Sequence, residues 1–354
     1  MSIFHFIFSV SLVAATFVLA ESDAQPAQKS EPDVIVYSGD YPGWPWVCRG
    51  ADGTLYCVFR EGTVHMYSAN GRAMFAKSTD GGKTWSEARA IADEPNVDDR
   101  NVAIAELPNG NLLVNFNTFT EDHVSQAMFT RSLDRGETWS EPRALPVANS
   151  RTRASAKALS NGWILIPLYL DPERGAVAAI SKDNGETWEG IRIPNAEGFV
   201  GDEWDLIEPE PGHLIGLSRN DFEDPDRFVY LFESHDSGMT WETPKKTNIQ
   251  TGRHPAPVQV FFQNGKPTVI YPDERMVSIS AIHTTDPEYL DWNLDDSLPC
   301  YVYNEDRSPV PDGSYAVSAS VGENERFIVD YEIREESKRV TGYYVEFPEE
   351  WGKE

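Results

Sequence analysis

Ser78-Thr79-Asp80-Gly81-Gly82-Lys83-Thr84-Trp85 is the first of four copies of a pattern, Ser-x-Asp-x-Gly-x-Thr-Trp, that returns at Ser132 to Trp139, Ser181 to Trp188 and Ser234 to Trp241. The starts lie 54, 49 and 53 residues apart, and a worn fifth copy, Thr284-Thr285-Asp286 with Trp292, begins 50 residues after the fourth. A near-constant period of this size marks stacked structural units. The pattern reads mechanically: Ser and Asp bond N–H groups of their own turn, Gly takes a conformation other residues avoid, and Trp pins the turn to the sheet. Its middle positions vary freely, which makes it a structural staple and not a catalytic signature.

A second repeat interleaves with the first: an apolar strand, a turn centred on glycine, and another apolar strand. The turn glycines are Gly53, Gly110, Gly162, Gly212, Gly265 and, in a weaker copy, Gly322. Flanking segments such as Val258 to Phe262 and Thr268 to Tyr271 are β-rich and too short for helices. Each unit therefore reads as a four-stranded antiparallel blade. The chain is predicted to be all-β, a six-bladed propeller over residues 33–354 with about 54 residues per blade. The first strand, near Val34 to Tyr37, completes the last blade and closes the ring.

Residues 3–20 form an apolar run ending Val18-Leu19-Ala20, which reads as a signal peptide over 1–20 and predicts a secreted or periplasmic protein. A retained N-terminal anchor is the other outcome of the same run. Residues 21–32 are polar and read as a flexible linker. With 57 acidic against 30 basic residues, the charge speaks against nucleic acid and anionic membranes as partners. Cys48 and Cys57 are equidistant from the first hairpin turn, so a disulfide and two buried thiols are both compatible with their placement. The seven histidines show no paired zinc spacing, and neither a calcium loop nor a phosphate loop is present; no cofactor is implied.

In an antiparallel blade the start of the inner strand and the end of the next one lie at the same end of the sheet, away from the Gly and staple turns. The residues just before and after each Gly hairpin therefore border the central axis. They include Trp44, Arg60 and His65 in blade one, Asp99 and Arg100 in blade two, Glu203 and Arg219 in blade four, Arg253, His254 and Arg275 in blade five, and Tyr315 in blade six. Arginines gathered on one face of an acidic chain suit a carboxylate or sulfate, because the guanidinium fork grips such groups with two hydrogen bonds.

The four staples at this spacing resemble the Asp boxes of the sialidase (neuraminidase) superfamily, and the resemblance covers nearly the whole chain after the leader. It implies a Tyr nucleophile paired with a Glu, an Asp acid/base and three arginines around a sugar carboxylate. Glu203 and Arg219, sixteen residues apart around Gly212, have the family's separation, and Tyr315, in Ser314-Tyr315 before the last hairpin, holds the nucleophile's place. Two positions depart from the pattern. The family's first arginine falls on Gly43 in Tyr41-Pro42-Gly43-Trp44-Pro45, and the loop that carries the catalytic Asp offers Glu61 and His65; Arg60, Arg100 and Arg275 are the candidates to rebuild the clamp, and Asp99 or His65 to deliver a proton.

The resulting expectation is a glycoside hydrolase acting on an anionic, sialic- or uronic-acid-type glycan. Tyr315, Glu203 and Asp99 are its candidate catalytic residues, and Arg60, His65, Arg100, Arg219 and Arg275 its substrate-binding ones. A neutral Tyr deprotonated by Glu suits attack beside a carboxylate, where an anionic nucleophile is repelled. The alternatives are a non-catalytic glycan-binding propeller and a lyase of uronic-acid polysaccharide using His65 or His254.

Overall fold

The computed structural model describes residues 29–220, 227–251 and 257–351. The signal run 1–20, most of the tether, Arg253 and His254 lie outside them. All regular structure among the described residues is β. Six antiparallel sheets follow one another along the chain.

Blade one comprises Tyr41–Arg49, Leu55–Gly62, Arg72–Ser78 and Arg89–Ala92. Blade two begins Asp98–Glu106 and Leu112–Phe119. In blade three the inner strand is broken into Ser150–Thr152 and Lys157–Ala158, both paired with Ile164–Leu170. Blade four opens with Trp204–Glu210 and His213–Ser218, and blade five with Gln259–Gln263 and Lys266–Glu274. Blade six is built from Glu325–Ile333 and Lys338–Glu346, and Val34–Ser38 adds to its outer edge, with Val34 opposite Gly342. This pairing closes the ring as expected.

The burial pattern explains the layering. Second strands such as Leu55–Gly62 are buried along their whole length, because neighbouring blades cover both faces. Outer strands such as Glu189–Arg192 are exposed and charged, which protects an edge that would otherwise pair with another chain. One apolar layer joins Val58 and Phe59 of blade one to Ile104 and Val114 of blade two and to Phe327 and Val329 of blade six.

The staples form the bonds read from their sequence. Ser78 Oγ accepts from Gly82 N at 2.9 Å, Asp80 accepts from Thr84 N at 3.0 Å, and Trp85 Nε1 donates to Gly82 O at 3.0 Å. The worn copy keeps the design over a longer turn, with Trp292 Nε1 donating to Tyr289 O at 2.9 Å.

The first hairpin answers the cysteine question. Cys48 pairs with Tyr56 and Cys57 with Val47, one residue away from mutual opposition, so their side chains point to opposite faces and all three cysteines are free. Contact with the propeller starts before residue 33: Lys29 O accepts from Val302 N at 2.9 Å.

Candidate active site

All six blades send side chains to one cavity of about 230 Å³. Its lining includes Trp44 and His65 from blade one, Arg100 and Asn101 from blade two, and Glu203 and Arg219 from blade four. Blade three contributes Arg151, Asp171 and Arg174, blade five Arg275 and blade six Tyr315. The position is the one inferred from strand direction.

Two inner strands carry the same irregularity at the same height. Pairing shifts between Gly43 and Trp46 in blade one and between Arg100 and Ala103 in blade two, and Trp44 (φ 49°) and Asn101 (φ 54°) take left-handed backbone conformations. Such bulges re-aim side chains. Here they turn Trp44 and Asn101 into the cavity lining.

Tyr315, Glu203 and Arg219 form the centre. The Tyr315 hydroxyl donates to Glu203 Oε2 at 3.2 Å, Arg219 Nη1 donates to the same oxygen at 2.7 Å, and Arg219 Nη1 lies 3.2 Å from the Tyr315 oxygen. The backbone enforces the pairing, since Arg219 N donates to Glu203 O at 2.9 Å across the hairpin. Arg153, buried beneath, donates to Tyr315 O at 3.1 Å and places its guanidinium 5.1 Å from the centre of the Tyr315 ring. Burial, then the negative Glu203, pushes the Tyr315 hydroxyl up to about 12, with Arg219, Arg275 and Arg153 pulling the other way. Tyr315 is thus neutral at pH 7 and needs a base to become a nucleophile; Glu203 stands in that place.

The field around this centre is positive. Five arginines, Arg100, Arg151, Arg174, Arg219 and Arg275, line the cavity against three carboxylates, Asp171, Asp202 and Glu203, in a chain of net charge −27. Arg275 lies 5.9 Å over the Tyr315 ring and Arg100 4.3 Å over the Trp44 ring. Arg151 pairs with Asp171, and Arg174 with Asp202 at 3.5 Å. Asp202 is raised above the ordinary carboxylate range by burial, against the pull of Arg219.

Of the residues singled out from sequence, Tyr315, Glu203, His65, Arg100, Arg219 and Arg275 meet in this cavity. Arg60 and Asp99 do not. Arg60 is fully buried and gives Nε and Nη2 to the two oxygens of Asp98 at 2.9 and 2.7 Å, which leaves it no fork for a substrate. Asp99 neighbours Arg100 on a strand, where successive side chains point to opposite faces, and it accepts instead from Glu94 N at 3.0 Å. Glu61 turns back to accept from Asp40 N at 2.8 Å.

Among the residues of the site that were not singled out are Arg174 and Asp202 in the lining and Asp312 beside His65. Asp202 directly precedes Glu203 and Asp312 lies three residues before Tyr315, so proximity to the motif residues was the available signal. At the end of blade four that carries the Gly and staple turns, His213, Glu233 and His235 bring ligand-type atoms within 4.8 Å of one another, despite unremarkable sequence spacing. Glu233 is already engaged there, by His213 Nε2 at 3.0 Å and Lys245 at 3.7 Å.

Residues 53–276 match the family model described as BNR repeat-like domain, well over half of the chain, and the protein belongs to that family. Among solved structures, it is similar to a protein of unknown function from Dyadobacter fermentans (18% identity, TM-score 0.75, covering 92% of this chain and 100% of that one). It is also similar to the Hadza microbial sialidase Hz136 (18% identity, TM-score 0.67, covering 87% of this chain and 66% of that one). A third is the NanB sialidase of Streptococcus pneumoniae (14% identity, TM-score 0.68, covering 91% of this chain and 71% of that one). No curated protein matches it in sequence. At these identities the structural likeness is one of fold, and with the family match it makes the chain a sialidase-superfamily propeller of the BNR type.

Proposed function

We propose that this protein is a sialidase-like glycosidase that removes a terminal carboxylate-bearing sugar from an anionic glycan. The observation that carries the reading is the Tyr315–Glu203–Arg219 cluster at the centre of an arginine-lined cavity. Tyr315 attacks the anomeric carbon while Glu203 takes its proton. Arg219 and Arg275 hold the sugar carboxylate, and Arg100 of blade two contributes from over the Trp44 ring, next to Gly43, which stands where the family's arginine is expected. A cavity of about 230 Å³ is smaller than the ~300–1,000 Å³ of typical ligand pockets, which suits one terminal sugar and an exo-acting enzyme. Export by way of the run at residues 1–20 belongs to the same proposal and is checked by N-terminal sequencing of protein recovered outside the cytoplasm.

The test is turnover of a fluorogenic sialoside and of a panel of uronic-acid and sulfated glycans, alongside Tyr315→Phe. Release of the terminal acidic sugar by the wild type, lost in Tyr315→Phe, is the expected result. Binding of a charged glycan that stays intact on long incubation would replace the reading with a glycan-binding propeller. Product with new near-ultraviolet absorption would replace it with a uronic-acid lyase.

A further inference from the structure

The Tyr315 mechanism needs an acid for the departing oxygen, and neither Asp99 nor Glu61 faces the cavity. His65 does. It stands on the loop after Leu55–Gly62, with 45% of its side chain exposed, and its ring meets the Trp44 ring edge-on at 5.2 Å; Tyr315 meets the same Trp44 ring at 6.4 Å.

His65 Nδ1 lies 2.6 Å from Asp312 Oδ2. An ionised carboxylate only accepts, so Nδ1 carries the hydrogen and Nε2 is the nitrogen left for a ligand. Asp312 is held in turn by Tyr41 Oη at 2.6 Å and Tyr331 Oη at 3.0 Å. Burial pushes its carboxyl up, but the bonds from His65, Tyr41 and Tyr331 outweigh this and keep it below the ordinary range, hence ionised.

The loop itself is clasped. Arg60 Nη1 donates to Val64 O at 2.7 Å and Nη2 reaches Met66 O at 3.4 Å, while Arg100 Nη2 donates to His65 O at 3.1 Å. Three successive carbonyls are therefore fixed by two buried guanidiniums, although the side chains of Val64 and Met66 lie in solvent. A buried Arg60–Asp98 pair used to immobilise an exposed loop makes physical sense when one side chain on that loop must be held to a fraction of an ångström.

Resting on the glycosidase reading, we propose that His65 is the general acid/base of this site and that Asp312 is its positioning residue, with the Arg60–Asp98 pair holding the loop. In the first step the Tyr315 oxygen bonds to the anomeric carbon, its proton passes to Glu203, the glycosidic C–O bond breaks, and the leaving oxygen takes the proton from His65 Nε2. In the second step neutral His65 takes a proton from the attacking water, and Tyr315 leaves and regains its own from Glu203. The charged and titratable groups around His65 are Asp312 and Tyr41, with Arg60 and Arg100 behind the loop; Arg275 and the Glu203–Arg219 pair share the cavity.

The test compares two glycosides of one sugar, 4-methylumbelliferyl sialoside, whose leaving group needs little protonation, and 3′-sialyllactose, whose leaving group needs it. Should the wild type prefer a uronide, the corresponding pair is used. His65→Gln is expected to lose about 10²-fold or more in kcat/KM on the unactivated glycoside and less than about tenfold on the activated one. Asp312→Asn is expected to reproduce the same split between the two substrates in weaker form. Equal losses on both substrates, or none on either, would overturn the role of His65, and loss of both activities in Tyr315→Phe in the same assay would leave the Tyr315 reading intact. A wild type inert on both pairs would overturn both readings.

Discussion

The Tyr315 hydroxyl hydrogen-bonds Glu203 across 3.2 Å although 112 residues separate them in the chain. Tyr315→Phe removes a single oxygen and leaves the Arg219–Glu203 pair at 2.7 Å intact, so turnover is expected to fall at least ~10³-fold with little change in melting temperature. Glu203→Gln should lose activity comparably and also stability, because it weakens a pair with a largely buried Arg219. Steady-state kinetics with thermal melts of both variants check this.

Stability should peak in mildly acidic solution. Asp80, Asp134 and Asp183 are held down to about 2 by the hydroxyl and N–H of Thr84, Thr138 and Thr187. They contribute stability that is present above the ordinary carboxylate value of about 4 and is lost as pH falls toward 2. Asp99 is pushed the other way, up to about 6, by burial and then by the charges of Asp98, Asp93 and Glu94 against a bond from Glu94 N. Its contribution is present below about 4 and is lost as pH rises through 6. Melting temperatures from pH 3 to 8 should pass through a maximum between 4 and 6, with Asp99→Asn flattening the upper side. A continued rise from 6 to 8 would contradict this account.

The staples should bear on stability and not on turnover. Ser132 Oγ is buried and accepts from Gly136 N at 2.7 Å. Ser132→Ala leaves that buried N–H without its partner and should cost about 1–3 kcal/mol, read as a lower denaturation midpoint at unchanged kcat/KM.

Arg60 and Arg275 should separate in experiment although sequence placed them together. Arg60→Ala strips Asp98 of a buried bidentate partner and should destabilise by about 3–5 kcal/mol. Arg275→Ala should chiefly weaken binding, raising KM roughly ten- to a hundredfold through the loss of one charge-assisted contact. Denaturant titration and kinetics on the two variants decide the matter.

The cysteines should behave as three thiols. Cys57 and Cys300 are buried, and burial pushes both thiols up; Cys48 rises to about 12 for the same reason. A thiol reagent is expected to titrate all three in the unfolded chain and to react slowly with the folded one, and a reductant should leave the melting temperature unchanged.

Blade count, ring closure and the staples were legible in the sequence because each rests on spacing along the chain, whereas the site's central cluster was legible through the resemblance to the sialidase family. The staple period counts blades, the Gly turns orient them, and the sixteen-residue step from Glu203 to Arg219 is a hairpin length. What spacing does not carry is the register inside a hairpin and the partner reached across the axis. One residue of register separates a Cys48–Cys57 bridge from two free thiols. One residue of alternation sends Arg100 into the cavity and Asp99 away from it. The burial of Arg60 against Asp98 and the meeting of His65 with Asp312, 247 residues further on, depend on inner-strand bulges and on how the ring closes. Periodicity is a local property of a chain, whereas pairing across a central axis is fixed only when all the blades pack at once.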